Sequence, residues 1–198
     1  MRIKYRYGSP IKERLLLLKE PGRPLAFDAD RGFVVEMSRR HSLPSLTEPV
    51  KGKAPEKAAE EFRRLGRKVM ASTIELADGK YMDRTGEVVE LVAKQTGIDF
   101  PHRLQRYVEL AIIGPRPLDR WNVAVSTTSE LKMQVFSCSL LKALEDAGIP
   151  TKGTPCREFC LAAFRAAVDK CGLKVESTLE KSLAEDKVCE FCFRTASA

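Results

Sequence analysis

The chain has 198 residues, of which 43% are hydrophobic and 31% charged, and a net charge of +7. That is long and apolar enough to build a core, which excludes whole-chain disorder, and 12 glycines and 11 prolines exclude collagen-like and low-complexity classes. No apolar run approaches the roughly 18–20 residues that span a bilayer, and the basic start Met1-Arg2-Ile3-Lys4 is followed by no export-type apolar segment, so a cytoplasmic, non-membrane protein is expected.

Charge is unevenly placed. Residues 1–50 hold ten Lys/Arg against six Asp/Glu, whereas residues 130–198 hold ten of each. A basic N-terminal part favours anionic partners. Along the helices the basic residues are nevertheless interleaved with acids, as in Glu60-Glu61-Phe62-Arg63-Arg64, the pattern of a solvated helix face. Clustered basic runs are missing, so nucleic-acid binding is not expected and an interaction module ranks third among the readings.

Residues 25–27 and 32–37 read as short strands around a turn at Asp28-Ala29-Asp30-Arg31. Residues 41–49, with two prolines and no period, read as a loop. Three helices follow over residues 55–113. The first opens at Pro55 and carries Ala58, Phe62, Leu65, Val69 and Ile74 at helical spacing. The second spans about 83–96, with Val88, Val89, Leu91 and Val92 expected buried and Gly97 as its cap. The third follows Pro101, carries Leu104, Tyr107, Val108, Leu110 and Ala111, and ends at Gly114-Pro115-Arg116-Pro117.

From Trp121 onward the pattern changes. Residues 121–125 and 131–136 alternate as strands. A helix over about 139–147 comes next, then one opened by Thr154-Pro155 and closed by Gly172, then strands near 173–180 and 188–194. The order β-β-α-α-β-β predicts an α+β fold with an antiparallel sheet, preceded by N-terminal strands and a helical segment. One domain is expected over 1–198; a split near Gly114 is the alternative.

All six cysteines lie in this last part: Cys138, Cys156, Cys160, Cys171, Cys189 and Cys192. Clustered thiols in a chain without an export signal point to metal binding or chemistry more than to disulfides. Cys156 and Cys160 are i and i+4, hence on one helix face. Cys156 falls in the first helical turn, where the helix dipole favours a thiolate. Cys171 shares that face but lies about 16 Å further along at 1.5 Å per residue, so it packs elsewhere. Strand alternation turns Cys189 toward the core with Phe191 and Phe193, and turns Cys192 away. Cys138, Cys156, Cys160 and Cys189 are thus the candidate ligands, with Cys192 in reserve. With both histidines elsewhere, the centre would be all-thiolate, iron–sulfur or zinc. The i,i+4 pair must pinch together to bind one zinc, so the spacing leans toward iron–sulfur. Trp121 is read as core or pocket wall, His102 as a surface or capping residue, and Glu176 and Glu180 as a solvated strand face or, alternatively, an oxygen ligand.

The series Trp121 to Cys138, then Pro155-Cys156-Arg157-Glu158-Phe159-Cys160, then Lys187-Val188-Cys189-Glu190-Phe191-Cys192-Phe193 resembles the L-2-amino-thiazoline-4-carboxylate hydrolase-like family. It also resembles, more distantly, the 4-vinyl reductase domain, a small-molecule binding module in which cysteines and a glutamate can hold zinc. The likeness covers roughly residues 121–194. By position, Cys138, Cys156 and Cys189 match the family's cysteines; the glycine of its last turn is Glu185 or Asp186 here, and Cys160 and Cys192 are extra. The resemblance implies a hydrolase with Cys156 as its nucleophile. The residues themselves favour a thiolate-ligated metalloprotein binding a small organic molecule between helices and sheet. Trp121, Phe136, Phe159, Phe191 and Phe193 would wall its pocket, and a homodimer is compatible with either reading.

Overall fold

The structure is a computed structural model and describes residues 29–151 and 156–195. It is α+β, with a four-stranded antiparallel sheet in the C-terminal part and helices before it. The helices of the first part are α1 (Arg31–Arg40), α2 (Leu43–Thr47), α3 (Pro55–Asp78), α4 (Arg84–Thr96) and α5 (His102–Ile113). Strands β1 (Arg120–Ser126) and β2 (Glu130–Ser137) follow, then α6 (Ser139–Asp146), α7 (Arg157–Cys171), β3 (Val175–Lys181), the single turn α8 (Leu183–Asp186) and β4 (Cys189–Thr195).

The N-terminal expectation is corrected where it can be compared. Residues 32–37 are not a strand but the body of α1, because the Asp30 carboxylate accepts from Gly32 N at 2.6 Å and Phe33 N at 3.3 Å. This N-cap gives two otherwise unpaired backbone donors an acceptor, and Phe33 and Met37, one helical turn apart, are both buried. The 41–49 loop contains α2, capped by Ser42, and a 3-10 turn over Glu48–Val50. The proposed strand at 25–27 lies outside the described residues, as do Thr154 and Pro155.

Helix α3 buries Ala58, Phe62, Leu65, Val69, Thr73 and Leu76, one stripe at helical spacing. Against it runs α7, and Gly66 permits their close approach: a methyl at that position would meet the Phe159 carbonyl. Helix α4 begins at the Asp83 cap and ends at Gly97 in the left-handed conformation. It packs on α5 and buries Val89 and Ala93, while Leu91 and Val92 are exposed rather than buried. Helix α5 is enclosed on all sides; its Arg106 donates to Ala77 O at 2.7 Å and pairs with Asp78, which also accepts from Tyr107.

The sheet order is β1-β2-β4-β3, and all neighbours are antiparallel. The register pairs Val135 with Cys189, Met133 with Phe191 and Leu131 with Phe193. Period-2 alternation turns these side chains to one face, against α5 and α7, where Phe164 meets Phe191 and Phe193 edge-on. A second apolar cluster lies among α1, α3, α6 and the start of α7; Trp121, Cys138 and Cys160 touch both clusters. No helix among the described residues is long and apolar enough to cross a membrane.

A candidate cysteine-lined metal centre

Four cysteines from three elements border one cavity of about 160 Å³: Cys138, Cys156, Cys160 and Cys189. Cys138 is the N-cap of α6, and its sulfur accepts from Leu141 N at 3.5 Å. Cys156 is the residue before α7 rather than within its first turn, and Cys160 follows one turn later. Cys189 opens β4, and its sulfur accepts from Leu183 N at 3.1 Å across the α8 turn. All six cysteines are free thiols. Cys171 is buried in the core at the far end of α7, away from the cavity.

The cavity also contains a residue that the sequence reading passed over. Arg116 is buried, 4% exposed, and lines the same space. Its Nη1 donates toward Cys138 Sγ at 3.6 Å and Cys160 Sγ at 3.9 Å, and its guanidinium lies over the Phe159 ring at 5.7 Å. The turn that carries it is rigid. Pro115 and Pro117 fix φ on either side, Arg116 N donates to Ile112 O, and Asp119 N donates back to Arg116 O. Asp119 faces the guanidinium with Nε to Oδ2 at 3.5 Å, and neither atom has a hydrogen-bond partner among the described residues. Its other oxygen accepts from Ser139 N and Ser139 Oγ, both at 2.6 Å, which ties Arg116 to the start of α6 beside Cys138. A cation between two prolines, just after the apolar run Leu110-Ala111-Ile112-Ile113, was the available signal, and it read as a boundary.

Burial pushes the four thiols up, Cys156 and Cys160 to about 12, and Arg116 offsets part of that for each of them. Burial alone would lower the Arg116 pKa, but Cys160, Asp119 and Cys138 hold it raised. At neutral pH the metal-free cavity therefore holds four protonated thiols facing a guanidinium.

The donor set suits a soft metal, since the sulfurs are the ligands that converge. Only Glu180, Glu190 and Cys192, among the described residues, place three ligand atoms within 4.8 Å of one another; no three cavity sulfurs do. A tetrahedral zinc with bonds of about 2.3 Å would need its sulfurs drawn to roughly 4 Å. A cubane binds each thiolate to a different iron and tolerates the wider spacing. The cavity volume also exceeds what one bare ion fills.

The Glu180, Glu190 and Cys192 group lies on the opposite face of the sheet. Glu180 pairs with Arg194 at 2.7 Å, Glu190 pairs with Lys132 and Lys181, and Gln134 donates to Glu190 at 2.6 Å. These cations already neutralise the carboxylates, so the group is an ion-pair network covering Cys192, which is 1% exposed.

The aromatic residues divide. Phe191 lines the cavity. Phe159 is buried beneath Arg116, Phe193 is core, and Trp121 is half-buried against both clusters. Phe136 is 38% exposed, because alternation along β2 turns it away from Val135 and the core. The apolar wall comes instead from Leu140, Leu141, Leu179 and Leu183, with Arg157 and Glu185 also lining the cavity. His102 is half-buried rather than on the surface, and its Nδ1 has no hydrogen-bond partner among the described residues. No family model matches the chain, and no curated protein matches it.

Proposed function

We propose that the chain is a cysteine-ligated metalloprotein, with an iron–sulfur cluster held by Cys138, Cys156, Cys160 and Cys189, and that the adjoining cavity takes a small organic molecule. The observation that supports this reading is that four thiols, at the starts of α6, α7 and β4 and one turn into α7, border one cavity. A bound cluster with a thiolate on each iron would supply one-electron transfer. The chain's own residues would ligate it and screen it: Leu140, Leu141, Leu179 and Leu183 exclude water, and Leu141 N, Leu183 N and Arg116 donate to ligand sulfurs. Thiols held protonated by burial suit a metal that displaces their protons, and they do not suit a nucleophile working at neutral pH.

The test is anaerobic reconstitution of the full chain with ferrous iron and sulfide. The proposal expects roughly four irons and matching sulfide per chain, with broad visible absorption. A colourless chain that takes up no iron, and whose Cys156 is alkylated fast at neutral pH, would favour the amino-thiazoline-carboxylate hydrolase reading instead.

A further inference from the structure

We propose that Arg116 sets the reduction potential of this centre, acting on the cluster through the ligand sulfurs of Cys138 and Cys160; the inference rests on the iron–sulfur reading above. A guanidinium that is 4% exposed has lost most of its hydration, and such burial persists only where something anionic offsets it. Asp119 offsets it in part. Their closest approach is 3.5 Å, Nε has no hydrogen bond among the described residues, and the other Asp119 oxygen is committed to the start of α6. Among the described residues, its other hydrogen-bond and ring partners are two ligand sulfurs and the Phe159 ring. Its charge is therefore aimed at the site where negative charge would gather when four thiolates hold a cluster.

The consequence is electrostatic. Reduction adds one electron to the cluster, here supplied by a low-potential reductant such as dithionite, and leaves it one unit more negative. Beside sulfurs largely buried from water that charge is expensive, and N–H···S bonds from a fixed cation lower its cost. The fork of arginine can address both sulfurs from one nitrogen while Nε stays beside Asp119. Lysine would keep the charge but not this geometry. Arg116 is thus a positioning residue: it contacts the ligands and not a substrate.

Potentiometric titration of the reconstituted full chain, followed by electron paramagnetic resonance, tests this. For Arg116→Gln, reduction should become at least tenfold less favourable, a midpoint at least 59 mV more negative for a one-electron couple. Arg116→Lys should fall between the two. The wild-type chain gives a second readout without any substitution. After exchange into deuterated water, electron–nuclear spectroscopy of the reduced cluster should show exchangeable protons coupled to it from the arginine as well as from the backbone N–H groups, and Arg116→Lys should alter that signal. Variants that take up full iron with an unchanged midpoint and unchanged couplings would overturn the role of Arg116 while leaving the cluster in place. Absence of iron uptake by the wild-type chain would overturn the cluster itself and this inference with it. If Arg116→Gln fails to fold, the Arg116→Lys midpoint decides: a value equal to wild type overturns the proposal.

Discussion

Gly66 of α3 lies directly against the backbone of Phe159 on α7. A methyl group at position 66 would sit 2.9 Å from the Phe159 carbonyl carbon, closer still to its oxygen, and 3.2 Å from Ala163 N. Because helix backbones do not yield as side chains do, Gly66→Ala should push α7 outward. Overpacking of this kind costs about 1–3 kcal/mol, and α7 carries Cys160, with Cys156 at its start. Urea denaturation should show the loss of stability, and cluster uptake should fall with it. A variant as stable as the parent would mean that the two helices are less closely packed than the structure has them.

The six thiols should separate by position. Cys171→Ser and Cys192→Ser should leave iron content unchanged, because one residue is in the core at the far end of α7 and the other is beneath the ion pairs on the outer sheet face. Cys156→Ser or Cys189→Ser should lower iron content severalfold and destabilise the loaded protein, since binding free energy at such a site adds to folding free energy. Iron analysis of the four variants is enough to check the division. Loss of iron in Cys171→Ser with retention in Cys156→Ser would contradict it.

In the metal-free chain, burial pushes the Cys156 and Cys160 thiols to about 12. Only the thiolate reacts with iodoacetamide. Alkylation should therefore be slow at pH 7 and should quicken about tenfold per pH unit up to pH 10. Mass spectrometry of pulse-labelled protein measures it residue by residue, and a rate at pH 7 matching that of an unfolded cysteine would show that these thiols are not held protonated.

His41 caps α1, is 3% exposed, and has no hydrogen-bond partner at Nε2 among the described residues. Burial, with Lys68 and Arg40 nearby, lowers its pKa from 6.5 to about 4. The unfolded chain thus binds the proton more readily, and stability is lost as pH falls from 6.5 toward 4. The loss by pH 5 is on the order of 2 kcal/mol. His41→Gln should remove this part of the pH dependence. His102, also lowered by burial, titrates in the same window but is common to both chains, so the difference between them isolates His41. Denaturation midpoints of both chains at pH 7.5 and pH 5 give the comparison.

The C-terminal part was legible because local periods decided it. Alternation through Leu131, Met133 and Val135, and through Phe191 and Phe193, placed the core face, and the i,i+4 spacing of Cys156 and Cys160 placed two thiols together. The N-terminal part misled because Val34 and Val35 are β-branched. The competing Asp30 cap and the Phe33–Met37 spacing carried the helix. Leu91 and Val92 are apolar, but nothing in the local pattern tells which stripe of α4 meets α5. The role of Arg116 was not legible for a different reason: its importance comes from residues 22 and 44 positions away, a relationship only the folded chain creates.

Anomalous diffraction at the iron and zinc edges, from crystals of the anaerobically reconstituted chain, tests the central claim most directly. The account predicts iron-edge density inside the cavity, bounded by the sulfurs of Cys138, Cys156, Cys160 and Cys189, with Arg116 Nη1 toward two of them. A zinc-edge peak there without iron, a metal at Glu180, Glu190 and Cys192 instead, or four unligated thiols around an empty cavity would contradict it.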